Sequence, residues 1–120
     1  MKIDRDKLRE RATIEWVYRP VELAVRGNVM ASDDDAFDKE CEDAILARID
    51  SGDEWAWFAV ECCASFGTHS ASDYLGGCSY ENEKDWLENS GYASDMIDEA
   101  IEALAKSLES DAAAIEAVKA

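Results

Sequence analysis

No run of about 18 apolar residues occurs in the chain, so no segment reads as a membrane-crossing helix. The first residues, MKIDRDKLRERATIEW, are charged and lack the apolar stretch of a signal peptide. A cytosolic protein is therefore expected. Histidine occurs once, as His69, and no C-x₂-C or H-x₃-H pair marks a structural zinc site. SFGTHSASDYLGG has glycines and hydroxyls but no lysine and no helix start suited to a phosphate loop. DDDAFDKECED lacks the central glycine of an EF-hand. Basic residues are scarce, 12 against 28 acids, for a net charge of −16. Such a body repels nucleic acid and anionic lipid and is drawn to basic protein surfaces.

The charge is not uniform. Residues 1–26 hold seven bases against five acids, a balance of +2, and residues 27–120 hold five bases against 23 acids, −18. This divides the chain into a polar, mildly basic arm over 1–19 and one acidic domain over 20–120. At 120 residues, 48% of them apolar, the chain is long enough for a single core.

Periodicity gives the elements. DRDKLRERA, residues 4–12, reads as a short polar helix or a frayed arm. Val21, Leu23 and Val25 alternate with Glu22, Ala24 and Arg26, the pattern of a half-buried strand with Pro20 at its start. ASDDDAFDKECEDAILARIDSG reads as a helix. Ser32 and Asp35 form its capping box, Phe37, Cys41, Ala44, Ile45, Arg48 and Ile49 mark one stripe, and Gly52 is the C′ residue. In EWAWFAVECCASF the even positions Ala56, Phe58, Val60, Cys62, Ala64 and Phe66 are all apolar, a core-facing strand. Trp55 and Trp57 share the opposite face, which is either covered or an exposed aromatic patch.

A loop, GTHSASD, leads to a third strand, DYLGGCSY, with Gly76-Gly77 marking a bulge or a close backbone approach. A helical turn carries Trp86. The last helix is capped by Ser94, with Ile97, Ala100, Ile101, Leu104 and Leu108 on its buried side. The expected fold is α+β, a small antiparallel sheet of about three strands with two amphipathic helices on one face, in the order β-α-β-β-α.

Catalytic chemistry is not expected. A set of Cys63 or Cys78 with His69 and Asp73, and a metal set of Cys62 or Cys63 with His69 and Cys78, can be drawn, but neither has supporting spacing. The plain reading is a solvent-exposed loop histidine and four reduced thiols, Cys41, Cys62, Cys63 and Cys78. No cofactor and no metal are expected. The alternatives to a binding role for the acidic faces are a generic acidic interaction protein and a Cys/His metal-binding protein.

The acids fall in rows. Asp34, Asp35, Asp38, Glu42 and Asp43 lie off the apolar stripe of one helix, and Asp95, Asp98, Glu99 and Glu102 off that of the other. Rows of carboxylates can stand in for duplex phosphates. The expected partner is the basic surface of a nucleic-acid-binding protein or complex, without direct binding to nucleic acid or membrane. Trp55 and Trp57 would supply an apolar anchor, or a face for a homodimer. In size and charge the chain resembles phage-encoded inhibitors of host defence, the anti-restriction and anti-CRISPR DNA mimics. GDEWAWFAVE and SDYLGGCSYENEKDW, within residues 20–105, look similar to small proteins of tailed phages and prophages. The resemblance implies a non-enzymatic inhibitor and assigns no site residues.

Overall fold

The computed structural model of the protein describes residues 1–29 and 32–119. Its elements run α1 Arg5–Arg11, β1 Thr13–Pro20, α2 Asp35–Asp50, β2 Phe58–Phe66, β3 His69–Cys78, α3 Glu83–Asn89 and α4 Ala93–Val118. The fold is α+β, with a three-stranded antiparallel sheet ordered β1-β2-β3. The polar stretch read as a short helix or a frayed arm is the helix α1, and the helical turn around Trp86 is α3. The chain divides into two compact units: Met1–Val17 with Glu61–Tyr74 and Tyr92–Ala120, and Tyr18–Val60 with Leu75–Gly91. Each strand contributes to both units.

In the first unit, α1 is an ordered helix. Asp4 caps it by accepting from the Lys7 amide at 3.1 Å, and Leu8 is buried. α4 buries Met96, Ala100, Ile101, Leu104 and Ala105. Ile97 and Leu108, expected on this side, are half-buried. The helix begins at Ala93 with Tyr92 at the cap position, so Ser94 lies inside the first turn and is not the cap. Gly67-Thr68 closes the β2–β3 hairpin, with Gly67 at φ 60°. A two-residue turn with glycine first supplies that positive φ without a Cβ clash. β3 therefore starts at His69, and the expected loop over 67–73 shrinks to two residues.

In the second unit the expected strand over 21–25 is absent. The strand is the preceding stretch, TIEWVYRP, rich in β-branched and aromatic residues. Pro20 has no amide to donate and ends the ladder. Val21–Val29 instead follows an irregular path that turns where the Asn28 amide meets the Val25 carbonyl at 3.1 Å. Val25 is buried with Ile45 of α2 and Trp57, and Val21, Val29 and Leu46 pack against them.

The α2 cap also shifts. Asp34, not Ser32, is the N-cap and accepts from the Phe37 amide at 3.1 Å. Ser32 reaches past Asp35 to Asp38, its hydroxyl donating at 2.6 Å. Gly52, at φ 87°, closes the helix as expected, its amide on the Ile49 carbonyl at 2.9 Å. Within the stripe Ile45 is buried, whereas Phe37 is 45% and Ile49 39% exposed.

The even face of β2 is core: Phe58, Val60, Cys62 and Ala64 are buried, as is Ala56 just before the strand. Phe66, at the hairpin turn, breaks the series at 42% exposed. Phe58 is ringed edge-on by Tyr18, Trp55, Tyr80 and Trp86, with centroids 5.1 to 6.3 Å away.

Candidate binding surface

The acidic rows are not two uninterrupted faces. On α2, Asp34 is occupied as the cap and Asp38 by Ser32. Glu42, expected to point outward, is buried at 8% exposure. Helical geometry places it on the side of Ile45 and Leu46, where it accepts from the Gly27 amide at 2.7 Å and from Arg26 Nη1 at 3.1 Å. Asp43 is half-exposed and paired with the other nitrogen of the same Arg26 fork. Both carboxylates, Asp43 foremost, raise the Arg26 pKa. Asp35 is exposed, with no ion pair or hydrogen bond among the described residues.

On α4 the pairing comes from α1. Arg5 clasps Glu102 through Nε at 2.8 Å and Nη2 at 3.0 Å, and reaches Glu109 through Nη1 at 2.6 Å. The Ile3 amide donates to Glu109 at 2.8 Å. The Arg5 bonds first, and then that amide, hold the Glu109 carboxyl down at about 2. Arg5 likewise lowers Glu102. Arg9 pairs with Asp98. Asp95 and Glu99 stay exposed and unpaired among the described residues. The basic segment thus neutralises part of the acidic helix, which a charge count by segment does not reveal.

The tryptophans separate too. Trp55 and Trp57 precede β2, so strict alternation does not govern them. Trp57 is 9% exposed, and its indole N–H donates to the Leu23 carbonyl at 2.8 Å. Its ring fills a slot over Gly77, where an added Cβ would lie 3.2 Å from the ring. The glycine pair is the close approach the sequence suggests, and Trp57 is buried against its own chain rather than standing out on an exposed face. Trp55 is half-buried, with its centroid 4.8 Å from that of Tyr18.

Around Trp55 lies a cleft of about 440 Å³, the size of a ligand pocket. Tyr18, Trp55, Phe58, Val21 and Ile49, with an edge of Trp57, give it an apolar lining, and Arg19, Asp53 and Glu54 bring charge to it. Arg48, read from sequence as a stripe position, organises one wall. It binds Asp53 at 2.8 Å, the Tyr80 carbonyl at 2.6 Å and Ser79 at 3.3 Å. Asp53 in turn accepts from the Trp55 amide at 2.9 Å. Arg48 first, then that amide, lowers the Asp53 pKa, so it stays ionised. Burial, and next the Glu83 carboxylate, lifts the Tyr18 phenol above its usual range and keeps it protonated. Apolar character at Tyr18 and Ile49 is legible in the sequence. The Arg48–Asp53–Trp55 chain is not, because it joins a helix end to a turn.

All four cysteines are free. Among the described residues no three of His, Cys, Asp and Glu are grouped to hold a metal. His69 is not a loop residue. It opens β3, with Nδ1 at 3.1 Å from Ser107 Oγ and Nε2 at 2.9 Å from Asp111. Burial pushes the Cys62 thiol up to about 11, with smaller contributions from Asp73 and Cys63, and burial pushes Cys78 up to about 11. Neither carries appreciable thiolate near neutral pH.

Comparison with known proteins finds no matching family model, curated protein or solved structure. Among the described residues no helix is long and apolar enough to cross a membrane.

Proposed function

We propose that the chain is a non-enzymatic binding protein that docks on the basic surface of a nucleic-acid-handling complex, as the phage-encoded anti-restriction and anti-CRISPR mimics it resembles do. One observation carries this reading. The chain has a net charge of −16, and Arg5, Arg9, Arg26 and Arg48 are each tied to carboxylates of the same chain. Among the described residues, Asp35, Glu40 and Asp50 of α2 and Asp95 and Glu99 of α4 are exposed and unpaired. An excess anionic surface, with several of its arginines already paired within the chain, attracts a cationic partner over long range, and salt screens that attraction.

The test uses immobilised protein and a bacterial lysate. Captured protein should be released by raised salt and by competing duplex DNA, and should lose its own DNA binding in the presence of the chain. The reversal Asp35→Lys with Glu99→Lys should slow association and flatten its salt dependence with the fold intact. Capture indifferent to salt, duplex and reversal would overturn the proposal.

A further inference from the structure

The cleft beside Trp55 has a composition that simple burial does not require. Its floor is aromatic and aliphatic, Tyr18, Trp55 and Phe58 against Ile49 and Pro20, while the exposed carboxylate of Glu54 lines the same space. Glu54 has no ion pair or hydrogen bond among the described residues. Asp53 is fixed by Arg48 and stays ionised. Trp55 is braced edge-on by two rings, Tyr18 at 4.8 Å and Phe58 at 5.1 Å. A ring held in that way is preorganised to bind.

An apolar trough beside carboxylates matches an amphipathic cation. Arginine and lysine lay an aliphatic stem along apolar surface and keep the charged head at a polar edge. A guanidinium or ammonium group also gains from the face of a tryptophan. A neutral apolar side chain would use the floor but leave Glu54 unanswered. Arg19 and Asp53, the other charged groups of the lining, are both engaged within the chain, so an anion would meet the unanswered Glu54 in a chain of net charge −16. The cleft of about 440 Å³ has room for a long side chain together with a neighbouring residue.

We infer that this cleft receives an arginine or lysine side chain of the basic partner, with its stem on Trp55 and Ile49 and its head toward Glu54. The inference rests on the basic-surface reading and adds the point of specific contact: long-range attraction comes from the helices, and residence time from the cleft.

The experiment titrates the whole chain with a ten-residue alternating arginine–glycine peptide and follows the Trp55 indole N–H by NMR. A citrulline–glycine peptide of the same shape is the uncharged control. The arginine peptide should shift the Trp55 resonance, and the citrulline peptide should not. Trp55→Ala should weaken binding about tenfold, as for an aromatic anchor at an interface centre. Ile49→Arg, at an exposed helical position, fills the cleft with a cation from within and should weaken binding comparably without unfolding the chain. Glu54→Gln should weaken it less. Equal binding by parent, Trp55→Ala and Ile49→Arg, or no shift at Trp55, overturns the cleft assignment while salt-sensitive capture still supports the basic-surface reading. Equal binding of the citrulline peptide assigns the cleft to a neutral ligand and overturns the inference. Salt-insensitive capture from lysate is the separate result that sinks the underlying reading.

Discussion

The Glu42 carboxylate accepts the Gly27 backbone amide at 2.7 Å, so a helix side chain closes a turn fifteen residues before it. The same carboxylate takes Arg26 Nη1 at 3.1 Å. Replacing it removes the partner of a part-buried amide and of one arm of a guanidinium. Glu42→Gln keeps an acceptor and should cost under about 1.5 kcal/mol, whereas Glu42→Lys places a cation beside Arg26 and should cost about 2–4 kcal/mol. Urea melts of the two variants distinguish this structural role from that of a solvated charge, for which both would match the parent.

Phe58 and Phe66 share the even face of β2 in sequence but not in environment. Phe58 is 2% exposed and ringed by four aromatics, while Phe66 is 42% exposed at the hairpin turn. Phe58→Ala should cost about 3–5 kcal/mol by leaving a cavity. Phe66→Ala should cost under about 1 kcal/mol. Equal effects in denaturant melts would contradict the burial pattern.

Acid should loosen the α1–α4 clasp. Glu109 titrates near 2 in the folded chain, and Glu102 is lowered as well. An ordinary glutamate titrates near ~4.3. A depressed carboxylate stabilises the fold above the ordinary value, and that contribution is lost as pH falls through the folded one. The melting temperature should therefore drop between about pH 5 and pH 2. Arg5→Ala should lower it at neutral pH and make the acid-side fall shallower. Parallel curves for parent and variant would show that the clasp does not hold α1.

The two adjacent glycines should behave oppositely. Gly77 sits at φ 69°, where a Cβ would lie 3.2 Å from Trp57 and from Leu23. Gly76 has nothing nearer than Val21 at 3.7 Å. Gly77→Ala should cost at least about 1 kcal/mol from the left-handed backbone alone, and Gly76→Ala should be within about 0.5 kcal/mol of neutral. Calorimetry of the pair reads the difference directly.

Local signals in the sequence identify most of the fold. The alternation from Ala56 to Ala64, the Gly52 helix stop and the periodic burial of Ala100, Ile101 and Leu104 depend on neighbours in sequence, and each stands in the structure. What it misplaces are choices between competing local signals. Val21, Leu23 and Val25 alternate as well as Ile14, Trp16 and Tyr18 do, but only the latter precede the proline that ends the ladder. Ser32 and Asp34 are both good caps, and the one nearer the helix wins. The acidic faces fail for a different reason. Outward projection on a helical wheel says nothing of a cation arriving from elsewhere in the chain. Arg5, Arg9 and Arg26 reach Glu102, Asp98 and Asp43 across long separations. The cleft is partly legible, since Trp55 stands off the core-facing series in the sequence, but its Arg48–Asp53 wall depends on a tertiary contact.

The α1–α4 clasp also bears on when the chain can fold. Arg5 lies 97 residues before Glu102 and 104 before Glu109. On a ribosome α1 emerges 97 to 104 residues ahead of the carboxylates that hold it. Until then α1 has seven residues and a single buried anchor, Leu8, too little to persist alone. α1 is thus secured long after it is made, and closing so long a loop is the kind of non-local contact that slows folding.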